Sequence, residues 1–226
     1  MVAVLDDRQH FIAAGALIAP GQVLSSGHLV TAGQLQVRAG EWDRQSSKEL
    51  YPHADRRVKQ ITTHTDFRNG SKYNNIALLQ LAAPYRGLPH VAPIRLAHDS
   101  LDSLDLSKCF VSAWGSRSAE LQAFPLSTLP TSECESQLRA ERILWFGRFI
   151  RENLLCAAVQ PSIESCGVDD GAPLVCPMKS QPQEYALVGL VNCGWRSSRL
   201  SHTQLPGVYS NVTHFADWIT AQLNES

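Results

Sequence analysis

The chain predicts an all-β fold built from antiparallel barrels, on three observations. Short apolar runs, many of them β-branched, recur from one end to the other with polar turns between them. Helical spacing is confined to a short piece near Glu133–Ala140 and to the tail. A length of 226 residues, 44% of them apolar, suits one double-barrel domain or two small ones.

In order, Met1-Val2-Ala3-Val4-Leu5 and Phe11 to Ile18 flank the polar turn Asp6 to Gln9, which is a hairpin pattern. A third run, Gln22-Val23-Leu24-Ser25, leads into Ser26-Gly27-His28-Leu29-Val30. Leu35 to Asp43 alternates and then turns, and Tyr51 to Arg57 reads as polar loop. Asn74-Asn75-Ile76-Ala77-Leu78-Leu79-Gln80-Leu81 is a continuous apolar strand entered through two asparagines. Pro84 to Ser103 contains prolines and polar residues and reads as the connector between two halves.

The second half repeats the style with Cys109 to Gly115, Asn153 to Ala158, Leu174 to Cys176, Tyr185 to Val191 and Gly207 to Val212. Phe215, Trp218, Ile219 and Leu223 then fall at helical spacing behind Thr213, an expected N-cap. The expected parts are a first barrel over about 1–97, a second over about 108–212 and a C-terminal helix over about 213–223.

Composition narrows the function. A formal charge of −1 gives no global attraction to nucleic acid or anionic membrane. No apolar run reaches the roughly 18 residues of a spanning helix, and Met1 to Asp6 is too short for a signal peptide. The six cysteines, 109, 134, 156, 166, 176 and 193, lack the tight spacing of a zinc site and read as disulfides. Three sequons, at Asn69, Asn211 and Asn224, agree with a secreted, extracellular glycoprotein. The chain is therefore expected to be part of a longer precursor.

The stretch Cys166-Gly167-Val168-Asp169-Asp170-Gly171-Ala172-Pro173-Leu174 resembles the nucleophile turn of trypsin-like serine proteases. Ser26 to Leu29 resembles that family's histidine motif, and Asn74 to Leu79 its aspartate motif. The resemblance covers nearly the whole chain and implies two packed six-stranded Greek-key barrels. It puts His28, Asn75 and Asp170 at the three positions of the catalytic triad, and Val168 and Asp170 at the positions that supply the oxyanion hole. Glu164, Gly194 and Gly207 fall at the specificity pocket, while Asn192 and Cys193 replace a serine and a tryptophan along the cleft. The disulfide pairs it implies are Cys109–Cys176, Cys134–Cys156 and Cys166–Cys193. Leu29 stands where the family has a cysteine, and the partner cysteine near Gly15 or Ala16 is missing too. The absent bridge leaves about 3 kcal/mol for packing to supply.

The same resemblance implies a lost activity. A serine protease needs a hydroxyl nucleophile, an imidazole base, a carboxylate that fixes the imidazole tautomer, and N–H donors for the oxyanion. Asp170 offers no hydroxyl, since a carboxylate attacking an amide forms an anhydride that expels the carboxylate more readily than the amine. Asn75 carries no charge to stabilise an imidazolium, a change that costs about ten-thousand-fold in a serine protease with the Ser-His-Asp triad. Val168 replaces a glycine in the oxyanion turn. His28 is read either as a vestigial base facing Asp170 as an ion pair or as a buried, hydrogen-bonded histidine. With only two ligands, His28 and Asp170 make no metal site, and neither metal nor cofactor is expected. Glu164 is read either as the floor of a surviving pocket or as a surface carboxylate. Asp169 falls where active relatives pair an aspartate with a new amino terminus, and it has no evident partner in the sequence.

Arg38-Ala39-Gly40-Glu41-Trp42-Asp43 is similar to the clip-domain serine protease homologues of arthropod immunity. That likeness implies a non-catalytic adaptor or cofactor in an extracellular proteolytic cascade such as melanisation, with a protease or protease substrate as partner. The alternatives are an endopeptidase with an unorthodox site and a structural or adhesion module that works through an outer face.

Overall fold

A computed structural model describes residues 1–31, 33–46, 48–97, 101–115, 118–140, 144, 149–159, 168–192 and 205–224. The first half forms β1 (Val2–Leu5), β2 (Phe11–Ala19), β3 (Gln22–Ser25), β4 (Gln36–Ala39), β5 (Ala54–Thr63) and β6 (Ala77–Leu81). The connector carries β7 (Arg95–Leu96) and a 3-10 turn at Leu101–Ser103. The second half forms β8 (Cys109–Ala113), β9 (Gln122–Leu129), α1 (Thr131–Ala140), β10 (Leu154–Val159), β11 (Pro173–Pro177), β12 (Tyr185–Val191), β13 (Gly207–Asn211) and α2 (Ala216–Asn224).

The first six strands close a barrel in the order β1-β2-β3-β6-β5-β4. The second ring runs β8-β9-β10-β13-β12-β11 and closes through β11 on β8. The two orders are the same when counted from each barrel's first strand, so both halves wind identically. Closure leaves every ring strand with two neighbours and removes the exposed edges of an open sheet.

Inward-facing residues fill each ring. Val2, Val4, Leu17, Val23, Val37 and Leu79 meet inside the first barrel, and Val111, Leu126, Leu174, Val188 and Tyr209 inside the second. A third cluster joins the halves, with Ala16, Leu24, Ile76 and Leu78 of the first barrel against Leu187, Leu190, Phe215 and Ile219 of the second barrel and tail. The tail helix thus seals the seam between the barrels.

Disulfides join Cys109 to Cys176, across the paired strands β8 and β11, and Cys134 to Cys156, tying α1 to β10. Cys166 and Cys193 lie outside the described residues. At the positions of the missing first-barrel bridge, Leu29 packs against the first-barrel core, while Ala16 joins the cluster between the halves.

Three local expectations are corrected. The loop reading of Tyr51 to Arg57 gives way to β5, whose ladder bonds to β4 and β6 hold a polar strand on the barrel wall. Its side chains are mostly partly exposed, so hydrophobic alternation is muted. Thr213 does not cap the tail helix, because α2 begins at Ala216 and the Thr213 hydroxyl donates instead to Asn211 Oδ1 at 2.6 Å. The connector is not free chain, since β7 adds in parallel to β12 of the second barrel.

Candidate active-site cleft

His28, Asn75 and Asp170 come together where the barrels meet. His28 follows β3 in a turn closed by the Leu29 N–H bonding Ser26 O at 3.3 Å. Asn75 sits just before β6, and Asp170 just before β11.

The turn bearing Asp170 is fixed by its backbone. The Ala14 N–H, from β2 of the first barrel, donates to Asp170 O at 2.9 Å. Gly171 N–H donates to Val191 O, and Val191 N–H to Ala172 O, each at 2.9 Å. Gly171 adopts φ +81°, in the left-handed region where a Cβ is strained, and a Cβ there would run into Ala14 O and lie 3.0 Å from Ser25 Oγ. Only glycine lets the turn approach the opposite barrel so closely.

Asp169, without an evident partner in the sequence, has two in the fold. Its Oδ2 accepts the backbone N–H of Trp114 at 2.7 Å and of Gly115 at 3.1 Å. Val168 is buried in the second-barrel core.

The side chains behind His28 form a network whose donors and acceptors assign one another. Asn192 Nδ2 must donate to Lys72 O, at 2.9 Å, so its Oδ1 faces Asn75. Asn75 Nδ2 then donates to Asn192 Oδ1 at 3.0 Å, and Asn75 Oδ1 accepts the His28 backbone N–H at 2.9 Å. Both asparagines are 1% exposed. Asn75 Nδ2 also donates to Ser26 Oγ at 2.9 Å, and Ser26 Oγ is hydrogen-bonded to His28 Nδ1 at 2.9 Å. Asn75 Nδ2 itself stands 3.0 Å from that same ring nitrogen. Asn75 Oδ1 lies farther from that nitrogen, at 3.3 Å, and it is the contact of Nε2 with the Asp170 carboxylate that calls for a proton on Nε2.

Nε2 lies 3.1 Å from Asp170 Oδ2, with the two side chains 14% and 15% exposed. A proton on Nε2 held by a carboxylate leaves that nitrogen no lone pair with which to deprotonate a nucleophile. Both readings of His28 thus describe parts of one arrangement: the ring is largely buried, hydrogen-bonded behind, and faces Asp170 in front.

Lys72 stands on the same rim. Desolvation pulls its ammonium below the usual lysine range, and the Asp170 charge pulls it back up. At Gly207, expected at the pocket, an added Cβ would lie 3.0 Å from the hydroxyl of Tyr209, itself 2% exposed. Glu164, Gly194 and Cys193 fall outside the described residues.

Two features away from the cleft were not legible in advance. Between β4 and β5, Glu41, Glu49 and His53 bring three potential ligand atoms within 4.8 Å of one another. Burial first, then the neighbouring Glu49, push the Glu41 carboxyl up to about 7, while Arg38 opposes the shift. The same loop exposes Trp42, Leu50 and Tyr51, with Tyr51 stacked on His90 at 5.1 Å. Spacing along one loop was the only sequence signal for either.

A family model described as trypsin matches residues 1–219. Phenoloxidase-activating factor 2 of Galleria mellonella is 34% identical over 220 residues, 92% of this chain and 71% of that protein. An inactive CLIP domain-containing serine protease A28 of Anopheles gambiae is 31% identical, covering 96% of this chain and 58% of its own length. An inactive CLIP domain-containing serine protease A3 of Aedes aegypti is 28% identical, covering 95% and 46%. The chain thus spans about half the length of the last two relatives.

Proposed function

Because the chain belongs to the trypsin family, with a family match over residues 1–219, we propose that it is a secreted, non-catalytic homologue that serves as a binding adaptor or cofactor in a proteolytic cascade. The observation that carries this reading is the pairing of His28 Nε2 with the Asp170 carboxylate at 3.1 Å. At the one place where catalysis needs a hydroxyl and a free imidazole lone pair, the chain has an acceptor and an occupied nitrogen. Asn75 deepens the loss, since its amide donates to Ser26 and Asn192 and presents no negative charge behind the ring.

The cascade role comes from the likeness to proteins named as a phenoloxidase-activating factor and as inactive CLIP-domain proteases. The partner is an extracellular protease or the substrate of one. Disulfides in the second barrel support an oxidising, extracellular setting.

Restoring the nucleophile tests the reading. Asp170→Ser alone is expected to leave peptide nitroanilides uncut and to escape labelling by a fluorophosphonate, because Asn75 still places no negative charge behind the ring. Asp170→Ser with Asn75→Asp is the combination expected to gain measurable labelling. Covalent labelling of the natural chain, mapped to residues 168–171, would sink the proposal.

A further inference from the structure

The three sequons sit in different surroundings, and only one is built to be modified. Asn211 ends β13 with its Nδ2 donating to Glu152 O at 2.8 Å and its Oδ1 accepting from Thr213, the hydroxyl residue of its own sequon, at 2.6 Å. One amide N–H of Asn211 and the hydroxyl of its own sequon are thus both held within the fold. Asn224 is the last described residue of α2, where backbone hydrogen bonding holds it in a helix.

Asn69 lies at the tip of an exposed turn, closed by Ser71 N–H and Lys72 N–H on Arg68 O at 3.1 and 2.9 Å. Next to it, Gly70 has nothing within 4 Å of where a Cβ would stand. The Lys72 ammonium donates to Asn69 Oδ1 at 2.6 Å, which engages the carbonyl oxygen and not Nδ2, the atom of this exposed residue that takes the sugar.

The turn is also a wall of the cleft. Lys72 feels the Asp170 charge, and its carbonyl accepts from Asn192, which is bonded to Asn75 behind His28. From these contacts we propose that Asn69 carries an N-linked glycan which stands over the mouth of the cleft and screens the His28–Asp170 pair from macromolecules. This rests on the extracellular reading above, since N-glycosylation requires passage through a secretory pathway.

The chemistry is a condensation that joins Asn69 Nδ2 to the anomeric carbon of a lipid-linked oligosaccharide. The amide loses a proton and the lipid pyrophosphate leaves. The product keeps Oδ1 as an acceptor, so the Lys72 contact survives and tethers the first sugar beside the cleft. A bulky, hydrated group there leaves an adaptor free to make its contacts elsewhere on the surface.

The experiment uses the chain secreted from insect cells behind a leader, treated with peptide-N-glycosidase in heavy-oxygen water and mapped by peptide mass spectrometry. Heavy oxygen is expected at residue 69 and not at 211. A secreted chain with Asn69 unmodified, or with Asn211 modified to the same extent, overturns the assignment.

Screening is read separately through acylation of the Lys72 amine by a small succinimidyl acetate and by a succinimidyl polyethylene glycol. Ser71→Ala and the enzymatically deglycosylated natural chain are the bare references. The polymer is expected to label Lys72 several-fold more slowly in the glycosylated chain, with the small reagent unaffected. Equal polymer rates overturn the screen. Neither outcome touches the non-catalytic reading, which is decided by labelling at residues 168–171.

Discussion

Around Asp170 the holding contacts are made by backbone, whereas behind His28 they are made by side-chain amides and a hydroxyl. Ala14 N–H, Gly171 N–H and Val191 N–H fix the turn, and a glycine at φ +81° lets it meet the other barrel. Asn75, Asn192 and Ser26 fix the ring, and their roles follow from where each amide places its oxygen. The first set is indifferent to which side chain the turn presents, so the architecture survives replacement of the nucleophile by Asp170. The second set is chemically specific, since each amide needs a matching partner. Asn192 supplies the acceptor that the Asn75 donor requires.

Breaking the backbone set should have the largest effect. Gly171→Ala adds a methyl group against Ala14 O at a left-handed residue, and is expected to lower stability by about 3 kcal/mol, read as a shift in the denaturation midpoint. A loss under about 1 kcal/mol would mean that the turn relaxes easily and the close approach is not a constraint.

The side-chain set should respond next, by about 2 kcal/mol. Asn75→Asp faces a buried carboxylate toward Asn192 Oδ1, removing a donor and leaving two acceptors in contact. Adding Asn192→Ser returns a hydroxyl donor, so the double variant should recover about 1 kcal/mol or more relative to additivity. Strict additivity in that cycle would show that the two positions act independently.

A control outside both sets should be smaller. Glu41 is raised from its ordinary 4.5 to about 7 by burial and then by Glu49. Between those values the folded chain binds more protons than the unfolded one. The stability contributed by the neutral carboxyl is thus full below 4.5 and is lost as pH rises through about 7. In chelator-containing buffer, Glu41→Gln is expected to flatten the fall in stability from about pH 5 to about pH 8 by about 1 kcal/mol. An unchanged slope would place the titration elsewhere.

Much of this was legible in the sequence where one residue type served one need. Tyr185–Val191 is an uninterrupted apolar strand because β12 is buried along most of its length. β5 was hidden by its polar surface, and β9 by Pro125 and an exposed, weakly alternating pattern. The meeting of His28, Asn75 and Asp170 followed from the order of their motifs. The answering role of Asn192, 117 residues from Asn75, depends on two amides facing each other in space, and no local pattern carries that. The donors to Asp169 are backbone groups of Trp114 and Gly115, which no side-chain motif could reveal.

Within the stretch that joins the two halves, Ile94 N–H bonds Leu17 O at 2.8 Å and Ala97 N–H bonds Leu187 O at 3.1 Å. Only two residues, Arg95 and Leu96, separate a stitch on one barrel from a stitch on the other, and these form β7, in register along β12. A joint sewn this tightly opposes jaw-like opening, so a partner that docks across it is expected to meet the two barrels as one body.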